Sequence, residues 1–304
     1  MDVLRTPDER FADLPDWPYA PRYVDDLAGY DGLRVHYVDE GPRDASRTVL
    51  CLHGEPTWAY LYRRMIPVFL EAGARVVAPD WLGFGRSDKP SGDAAYGFHF
   101  HRNMMLAFID RLDLRAITLV VQDWGGLLGL TLPQDLPDRF ERLLIMNTAL
   151  ATGRTPSAGF QAWRAYAAAN PDLPVGALIA RGTPHLSPAE IAAYDAPFPD
   201  VRHKAGVRRF PEMVMTEPDM EGVDTSLRAT EFWRERWTGE SFMAIGGADP
   251  VLGEETMRAM ARIIRGCPEP MVLPQAGHFV QEWGEPVARS ALAHWGDLPA
   301  GDER

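Results

Sequence analysis

Asp123 is the residue whose position most clearly indicates chemistry in this chain of 304 residues. It follows the apolar run 117–122 and precedes Trp124, Gly125, Gly126 and a helix-like apolar stretch. A strand, a sharp turn and a helix in that order form a nucleophile elbow, which usually carries a serine. Aspartate is already an anion at neutral pH, so it can attack a saturated carbon and become an ester itself. The sequence therefore predicts a covalent carboxylate nucleophile.

An ester formed on Asp123 has to be hydrolysed, which requires a base that activates water. Histidine is the expected residue type, and the chain has eight of them. His278 is the candidate base because it follows the strand-like run 270–273, and catalytic groups in parallel sheets gather on loops after strands. A surface or core histidine is the alternative interpretation of any single one.

The base must be oriented by an acid, which is expected between nucleophile and base in the chain. Asp249 meets this requirement because it follows the strand-like run 241–245. A turn aspartate is the alternative interpretation, since glycines precede it. Asn147 occupies the other position where such an arrangement carries the acid, and it is an amide. The predicted acid is therefore Asp249.

Hydrolysis of the ester also needs hydrogen-bond donors for the oxyanion. The loop after the run 48–52 reads His53-Gly54-Glu55-Pro56, and its glycine allows close approach of the backbone. The backbone N–H groups of Glu55 and Trp124 are predicted to converge on one oxygen. The Glu55 side chain is predicted either to hold the hydrolytic water or to be structural.

The elements that position these residues alternate between short apolar runs and longer helix-compatible segments. Strands are predicted over 34–38, 48–52, 75–78, 117–122, 142–146, 241–245 and 270–273, and helices over 60–72, 101–112 and 127–134. This alternation indicates a mainly parallel sheet flanked by helices. Residues 148–217 lack a strand signal, and helices are predicted there over 160–169 and 187–194. We expect residues 1–147 and 218–304 to form the core domain and 148–217 an inserted helical cap.

Composition limits the partners of the chain. A hydrophobic content of 46% is sufficient for a large core, and the net charge of −12 argues against nucleic acid and anionic membrane surfaces. No stretch approaches the roughly 18–20 apolar residues of a membrane span. The first residues lack the apolar segment of a secretory signal. The sequence predicts a cytoplasmic protein, and we expect a monomer.

Four segments, 53–58, 80–90, 121–126 and 276–279, together resemble the haloalkane dehalogenases of the α/β-hydrolase fold. The resemblance covers nearly the whole chain and is weakest in residues 148–217. It implies the α/β-hydrolase fold with a helical cap and cleavage of carbon–halogen bonds to alcohol, halide and proton. No metal or organic cofactor is implied. The resemblance is closest to the subfamily whose acid follows the later strand, as Asp249 does.

In that family two indole N–H groups hold the departing halide. Trp124, adjacent to the nucleophile, matches the first of them, and Trp163 is the only tryptophan between Thr148 and Pro218. The resemblance therefore implies that Trp163 is the second, although a core aromatic on a cap helix is the alternative. The expected ligands are a small apolar halogenated substrate, water and a halide ion. An apolar pocket is expected to be lined by Phe160, Leu127, Pro211, Val214, Val251 and Leu252.

Two other functions remain open at this level. An epoxide hydrolase shares the fold and the Asp/His pair but needs acidic donors for an alkoxide, usually two cap tyrosines, and Tyr166 and Tyr194 are available. A tryptophan directly after the nucleophile fits a halide better than an alkoxide. A binding protein on an inactive hydrolase fold is the third possibility, and the presence of Asp123, Asp249 and His278 argues against it.

Overall fold

The computed structural model describes residues 2–298 and contains a central eight-stranded sheet. The strands are β1 (Val3–Leu4), β2 (Arg22–Val24), β3 (Val35–Glu40), β4 (Thr48–Leu52), β5 (Arg75–Pro79), β6 (Lys89–Pro90), β7 (Ile117–Val121), β8 (Phe140–Met146), β9 (Glu240–Gly246) and β10 (Met271–Leu273). The sheet order is β10-β9-β8-β7-β4-β5-β3-β2, and β1 pairs with β6 separately. The strands from β10 to β5 are parallel, whereas β3 and β2 are antiparallel to their neighbours.

Helices cover the sheet and fill the segment between β8 and β9. They are α1 (Ile66–Glu71), α2 (Phe98–Arg111), α3 (Trp124–Gly129), α4 (Ala158–Ala169), α5 (Val175–Gly182), α6 (Pro188–Asp195), α7 (Ala205–Met213), α8 (Val223–Glu231), α9 (Glu254–Ile263) and α10 (Gly284–His294). Short 3-10 turns lie at Asp8–Phe11, Ala59–Tyr62, Asp93–Ala95, Pro137–Arg139, Val201–Lys204 and Val280–Trp283, and a π-helical turn at Phe232–Arg236.

The central strands are buried on both faces, which explains their continuous apolar sequences. Every residue of β4, β5 and β7 is buried, as expected for parallel strands covered by helices. All seven predicted strands are present, and the predicted fold class is confirmed. The sequence missed β1, β2 and β6 because these two- and three-residue strands are too short for a period-2 pattern.

Two predicted helices have different bounds in the structure. The predicted helix 60–72 is divided into a 3-10 turn and α1, and α1 begins immediately before Pro67, which suits the first turn of a helix. The predicted helix 127–134 begins earlier, at Trp124, and ends at Gly129. Pro133 follows shortly after and cannot donate a helical hydrogen bond.

Residues 148–217 contain α4 to α7 and no strand within the part of the chain that the structure describes. Ser187 begins α6 with a capping box, in which its hydroxyl accepts from the Glu190 N–H and the Glu190 carboxylate accepts from the Ser187 N–H. The sequence missed α5 and α7. Within residues 2–298, no helix combines the length and the apolar character needed to cross a membrane.

Candidate active site

The turn between β7 and α3 holds Asp123 in a conformation that non-glycine residues rarely adopt, with φ 50° and ψ −126°. The backbone packs so tightly here that neighbouring side chains are excluded. A Cβ atom on Gly125 would lie 1.9 Å from the Leu52 carbonyl oxygen, and one on Gly126 would lie 2.1 Å from Thr148 Oγ1. Both glycines are therefore sterically required, and the strained turn projects the carboxylate out of the sheet.

His278 lies between two carboxylates. Its Nδ1 atom is 2.8 Å from Asp249 Oδ2, and its Nε2 atom is 3.4 Å from Asp123 Oδ2. Asn147 donates to Asp249 Oδ2 at 2.9 Å, and the Val251 N–H donates to Oδ1 at 2.8 Å. The structure thus brings together the three residues predicted from the sequence, with the imidazole held from one side and facing Asp123 on the other.

The charges of this group are strongly coupled. Burial favours neutral forms, but attraction to Asp249 and hydrogen bonds to both carboxylates outweigh it and raise the pKa of His278 to about 10. Burial is likewise outweighed at Asp249, where His278, Asn147 and the Val251 N–H lower the pKa to about 2. With Asp123 ionised, the two carboxylates therefore favour the imidazolium form of His278.

The loop after β4 supplies one donor to the nucleophile. The Glu55 N–H donates to Asp123 Oδ1 at 2.7 Å. Gly54 permits this approach, because a Cβ atom there would lie 2.4 Å from both Cβ and Oδ1 of Asp123. The Trp124 N–H, predicted as the second donor, has no acceptor among the residues described here. The site therefore has one donor engaged by Asp123 and a second, unengaged N–H at the start of α3.

The Glu55 side chain is buried beside Asp123. Burial, and then the negative charge of Asp123, raise the pKa of Glu55 well above its ordinary value. Its Oε1 atom is buried without a hydrogen-bond partner in the described part of the chain. Burial therefore favours the neutral form of this carboxyl group, which retains an unused acceptor.

A cavity of about 940 Å³ opens above these residues. The nucleophile, base, acid and Glu55 line it, together with both candidate indoles. All six residues predicted to form an apolar pocket lie in its wall, namely Phe160, Leu127, Pro211, Val214, Val251 and Leu252. The remaining wall includes Leu178, Met215 and Met260. The arrangement suits a largely apolar ligand whose reactive end meets Asp123.

The two candidate halide tryptophans differ in their hydrogen bonds from four of the other five buried tryptophans in the described chain; the fifth, Trp295, also has an indole N–H without a partner there but lies outside this cavity. The indole N–H groups of Trp58, Trp81, Trp233 and Trp237 donate to protein oxygens at 2.7–3.1 Å. Neither Trp124 nor Trp163, both in the cavity wall, has such an acceptor within residues 2–298. Phe210 packs on Trp124 with ring centroids 4.7 Å apart. The cavity is therefore lined by two indoles whose donors are not engaged by the protein.

Two residues at this site were not predicted as functional. Gln122 Nε2 lies 2.9 Å from His278 Nε2 and donates to the His278 carbonyl oxygen at 3.1 Å. Asn147, considered only as an absent acid, instead holds Asp249. The signal for Gln122 was a polar residue ending the apolar run of β7, where it is fully buried. A buried amide requires partners, but the sequence does not show which.

The two cap tyrosines occupy different environments. Tyr166 lines the cavity, and its hydroxyl lies 3.4 Å from an Arg181 nitrogen. Tyr194 is fully buried outside the cavity wall, and its hydroxyl bonds Glu282 and Arg63. Among the described residues, Tyr166 is the only tyrosine in the cavity lining. The pair of phenols that an epoxide hydrolase needs is therefore not assembled.

No group of three or more His, Cys, Asp or Glu side chains is arranged to hold a metal ion within residues 2–298. The sheet, the strained elbow and the Asp–His–Asp group together define an α/β hydrolase. In agreement, residues 47–285 match the family model of the alpha/beta hydrolase fold.

Comparison with individual proteins narrows this class. A haloalkane dehalogenase from Psychrobacter cryohalolentis is 46% identical over 98% of this chain and 100% of its own length. One from Mycolicibacterium paratuberculosis is 44% identical over 97% of this chain and 98% of its own. Tetrameric DpaA from Paraglaciecola agarilytica NO2, also a haloalkane dehalogenase, superimposes with a TM-score of 0.95 at 54% identity, covering 96% of this chain and 98% of its own. The chain belongs to the haloalkane dehalogenase family, which confirms the predicted family.

Proposed function

We propose that this enzyme hydrolyses haloalkanes to an alcohol, a halide and a proton through an ester on Asp123. The observation that carries the halide assignment is the pair of indole N–H groups of Trp124 and Trp163 in the cavity that contains the nucleophile. Asp123 attacks the carbon that bears the halogen, and the carbon–halogen bond breaks as the carbon–oxygen bond forms. The halide leaves with the bonding electrons and needs no proton, so the indoles stabilise it as an anion.

Formation of the ester prepares the second step by changing the charge around His278. An alkylated Asp123 carries no charge, so the imidazolium loses one of the two carboxylates that raise its pKa. The proton then leaves more readily, and neutral His278, oriented by Asp249, removes a proton from water. The hydroxide attacks the acyl carbon of the ester and forms a tetrahedral intermediate. The N–H groups of Glu55 and Trp124 stabilise the oxyanion of this intermediate. Collapse of this intermediate breaks the bond between the acyl carbon and the alkoxy oxygen. The alkoxide takes the proton of the newly added hydroxyl, so the alcohol leaves, the Asp123 carboxylate is restored and His278 keeps the proton taken from water.

We assign the attacking water to the carboxyl group of Glu55. Its buried Oε1 atom has no partner in the described chain, and the group borders both Asp123 and the cavity. Burial and the charge of Asp123 raise the pKa of Glu55, which favours the uncharged form; in that form the group can accept a hydrogen bond from water without repelling the nucleophile. Of the two roles that the sequence left open for the Glu55 side chain, we therefore propose that it holds the hydrolytic water and is not merely structural.

The experiment that tests the function compares halide release from 1-bromobutane or 1,2-dibromoethane with hydrolysis of styrene oxide. We expect halide release and little epoxide opening, because Tyr166 lacks a second phenol at the cavity. Preferred opening of styrene oxide would favour the epoxide hydrolase, and no activity on any of them would favour a binding protein.

Trp163 is tested by a Trp163→Phe variant, which keeps an aromatic ring and removes the donor. We expect weaker bromide binding and a bromobutane turnover lower by about tenfold or more, because the loss of one hydrogen bond to a charged group costs ~1.5–3 kcal/mol. The control is Trp283→Phe, since Trp283 is partly exposed and lies outside this cavity. Equal effects of both changes would contradict the assignment.

We propose that residues 148–217 form the cap and that 1–147 and 218–304 form the core domain. The support is the all-helical content of α4 to α7 between β8 and β9. Leu227, Thr230 and Arg234 lie beyond this boundary and also line the cavity, so the core contributes to its mouth as well as its floor.

We also propose a cytoplasmic monomer. Cys51 and Cys267 are free thiols, which suits a reducing compartment, and cell fractionation tests the location.

Val201 and Leu227 are the large exposed apolar residues in the described chain, which offers little apolar surface for association. Light scattering on the purified protein checks the oligomeric state, and a four-chain assembly like that of DpaA would contradict the monomer.

A further inference from the structure

The mouth of the catalytic cavity carries three arginines from three separate elements. Arg154 lies between β8 and α4, Arg181 is near the end of α5, and Arg234 is in the π-helical turn after α8. All three are exposed and yet line the cavity. They therefore mark the place where the cavity meets solvent, and we call them the rim arginines.

Within residues 2–298, the rim arginines lack carboxylate partners, as do several other exposed arginines such as Arg228, Arg262 and Arg265, but only the rim arginines also line the mouth of this cavity. Acidic residues outnumber Lys and Arg by 43 to 31, and some exposed arginines elsewhere, such as Arg111, Arg258 and Arg289, do pair with carboxylates at 2.7–3.2 Å. No rim arginine has a carboxylate oxygen within 4.0 Å in the described part of the chain. Three uncompensated cations around one opening create a local positive field on an acidic protein.

Charge is distributed unevenly along the cavity. Its carboxyl groups belong to Glu55, Asp123 and Asp249, which lie at or beside the nucleophile. Its arginines lie at the mouth, and the wall between is mostly apolar. A ligand with a negative group near the reacting carbon would be repelled by Asp123. A ligand with a negative group at its far end would place that group among guanidinium donors, which match carboxylates geometrically.

We propose that the rim arginines form a distal anion subsite, and that the preferred substrates are halogenated aliphatic chains with a carboxylate at the opposite end. The inference rests on the proposed function and names a substrate class for the same site. The halogen faces Trp124 and Trp163, the apolar chain fills the cavity, and the carboxylate stays at the solvent boundary. Because that boundary is wet, the carboxylate retains part of its hydration and the desolvation cost is small.

The test measures kcat/KM by bromide release from 6-bromohexanoate and from its neutral methyl ester, at low ionic strength. We expect the acid to be preferred over the ester, and each of Arg154→Gln, Arg181→Gln and Arg234→Gln to lower that preference by about two- to fivefold. Raising the salt concentration should reduce the preference in the parent enzyme. A short acid, 3-bromopropanoate, should react poorly because its carboxylate cannot reach the rim.

The matched control is Arg262→Gln, which removes the same charge from α9. Arg262 is exposed, has no carboxylate within 4.0 Å among the described residues, and does not line the cavity. An unchanged preference in all three rim variants, or an equal loss in Arg262→Gln, would overturn the proposal. An equal loss of kcat/KM for the acid and the ester in the rim variants would also overturn the proposal. It would indicate that the arginines assist the release of halide and do not bind the carboxylate. If neither the ester nor 1-bromobutane releases bromide, the proposed function itself has failed.

Discussion

Two clusters of ionisable side chains differ in what they can do. Each contains one residue from the segment that follows β10, His278 in the first cluster and Glu282 in the second. The catalytic cluster consists of Asp123, Asp249 and His278. The anchoring cluster consists of Arg63, Glu190, Tyr194 and Glu282, with Arg64 at its edge. Both join distant parts of the chain through short hydrogen bonds, but only the first opens into the cavity.

In the anchoring cluster, opposite charges are paired inside the protein. Arg63 donates to both oxygens of Glu282 at 2.7 Å and to Glu190 at 2.8 Å. Burial opposes ionisation of Glu190, but bonds from Arg63 and Ser187 lower its pKa to about 2. Since α6 carries Glu190 and Tyr194, this cluster fastens the 148–217 segment to the sheet.

The catalytic cluster is partly open to the cavity. Asp249 is fully buried at its side chain, whereas Asp123 and His278 are 16% and 18% exposed there and face the cavity. A carboxylate that faces the cavity can reach a substrate there, and an imidazole that faces the cavity can reach water. The comparison shows that exposure to the catalytic cavity, rather than the presence of charge, separates the reactive cluster from the structural one.

The largest effect is expected from His278→Gln, which removes the base and keeps a polar side chain. Alkylation of Asp123 should continue while ester hydrolysis slows by about a thousandfold or more. Intact-mass spectrometry after addition of 1-bromobutane should then show a stable butyl adduct. Turnover of His278→Gln at the parent rate would show that the base lies elsewhere.

Arg63→Met should lower the stability of the fold and leave the chemical step unchanged. It leaves Glu190 and Glu282 buried with Arg64 as their remaining cation, and the free energy of unfolding should fall by ~3–5 kcal/mol. Urea unfolding measures this, with Arg289→Met as the control, because its pairs with Glu71 and Glu285 are exposed to solvent and contribute little to stability.

The folded fraction of Arg63→Met should still release the first equivalent of bromide. A loss of stability no larger than that of Arg289→Met would remove the distinction between an anchoring cluster and an ordinary surface pair.

The charge coupling of His278 predicts a third result. Asp123→Asn imitates the neutral ester, so the pKa of His278 should fall below the value of about 10 in the parent protein. Since that pKa is raised on folding, the stabilisation from His278 is complete below its ordinary value and is lost as pH rises through about 10.

In Asp123→Asn this loss should occur at lower pH. NMR titration of the imidazole, supported by pH-dependent unfolding, measures both shifts. An identical titration in the two proteins would show that Asp123 does not stabilise the imidazolium.

The smallest effect is expected from Gln122→Leu. Gln122 contacts both the ring and the backbone carbonyl of His278, so its loss should slow ester hydrolysis by about two- to tenfold. The rate of alkylation should stay the same, because Gln122 has no contact with the carboxylate of Asp123. Rapid-quench measurement of the two steps separates this positioning role from general destabilisation, which would slow both.

The parts of the site that could be predicted depend on patterns among neighbouring residues in the sequence. Asp123, Asp249 and His278 each follow an apolar strand of the parallel part of the sheet. Because parallel strands present their carboxyl ends at one edge, their order in the chain was sufficient to predict that they meet. The glycines after Asp123 were equally informative, since only they fit against β4 and Thr148.

Other features could not be read from the chain because they depend on contacts between distant side chains. The partners of Arg63 are Glu190 and Glu282, which lie 127 and 219 positions further along the chain. No periodicity relates these three residues. Nothing local distinguishes the rim arginines from other arginines on exposed segments. The short strands β1 and β2 were also missed, because pairing rather than composition defines them.

The sequence by itself determined the fold class, the family and the residue types available for catalysis, because burial patterns and turn chemistry act over a few neighbouring residues. Only the tertiary structure decided which of those residues face the cavity. It leaves the indole donors of Trp124 and Trp163 unengaged, encloses Tyr194 with Glu282, and keeps His278 open on one edge. These outcomes follow from packing among elements far apart in the chain, where a side chain's partners depend on the whole fold.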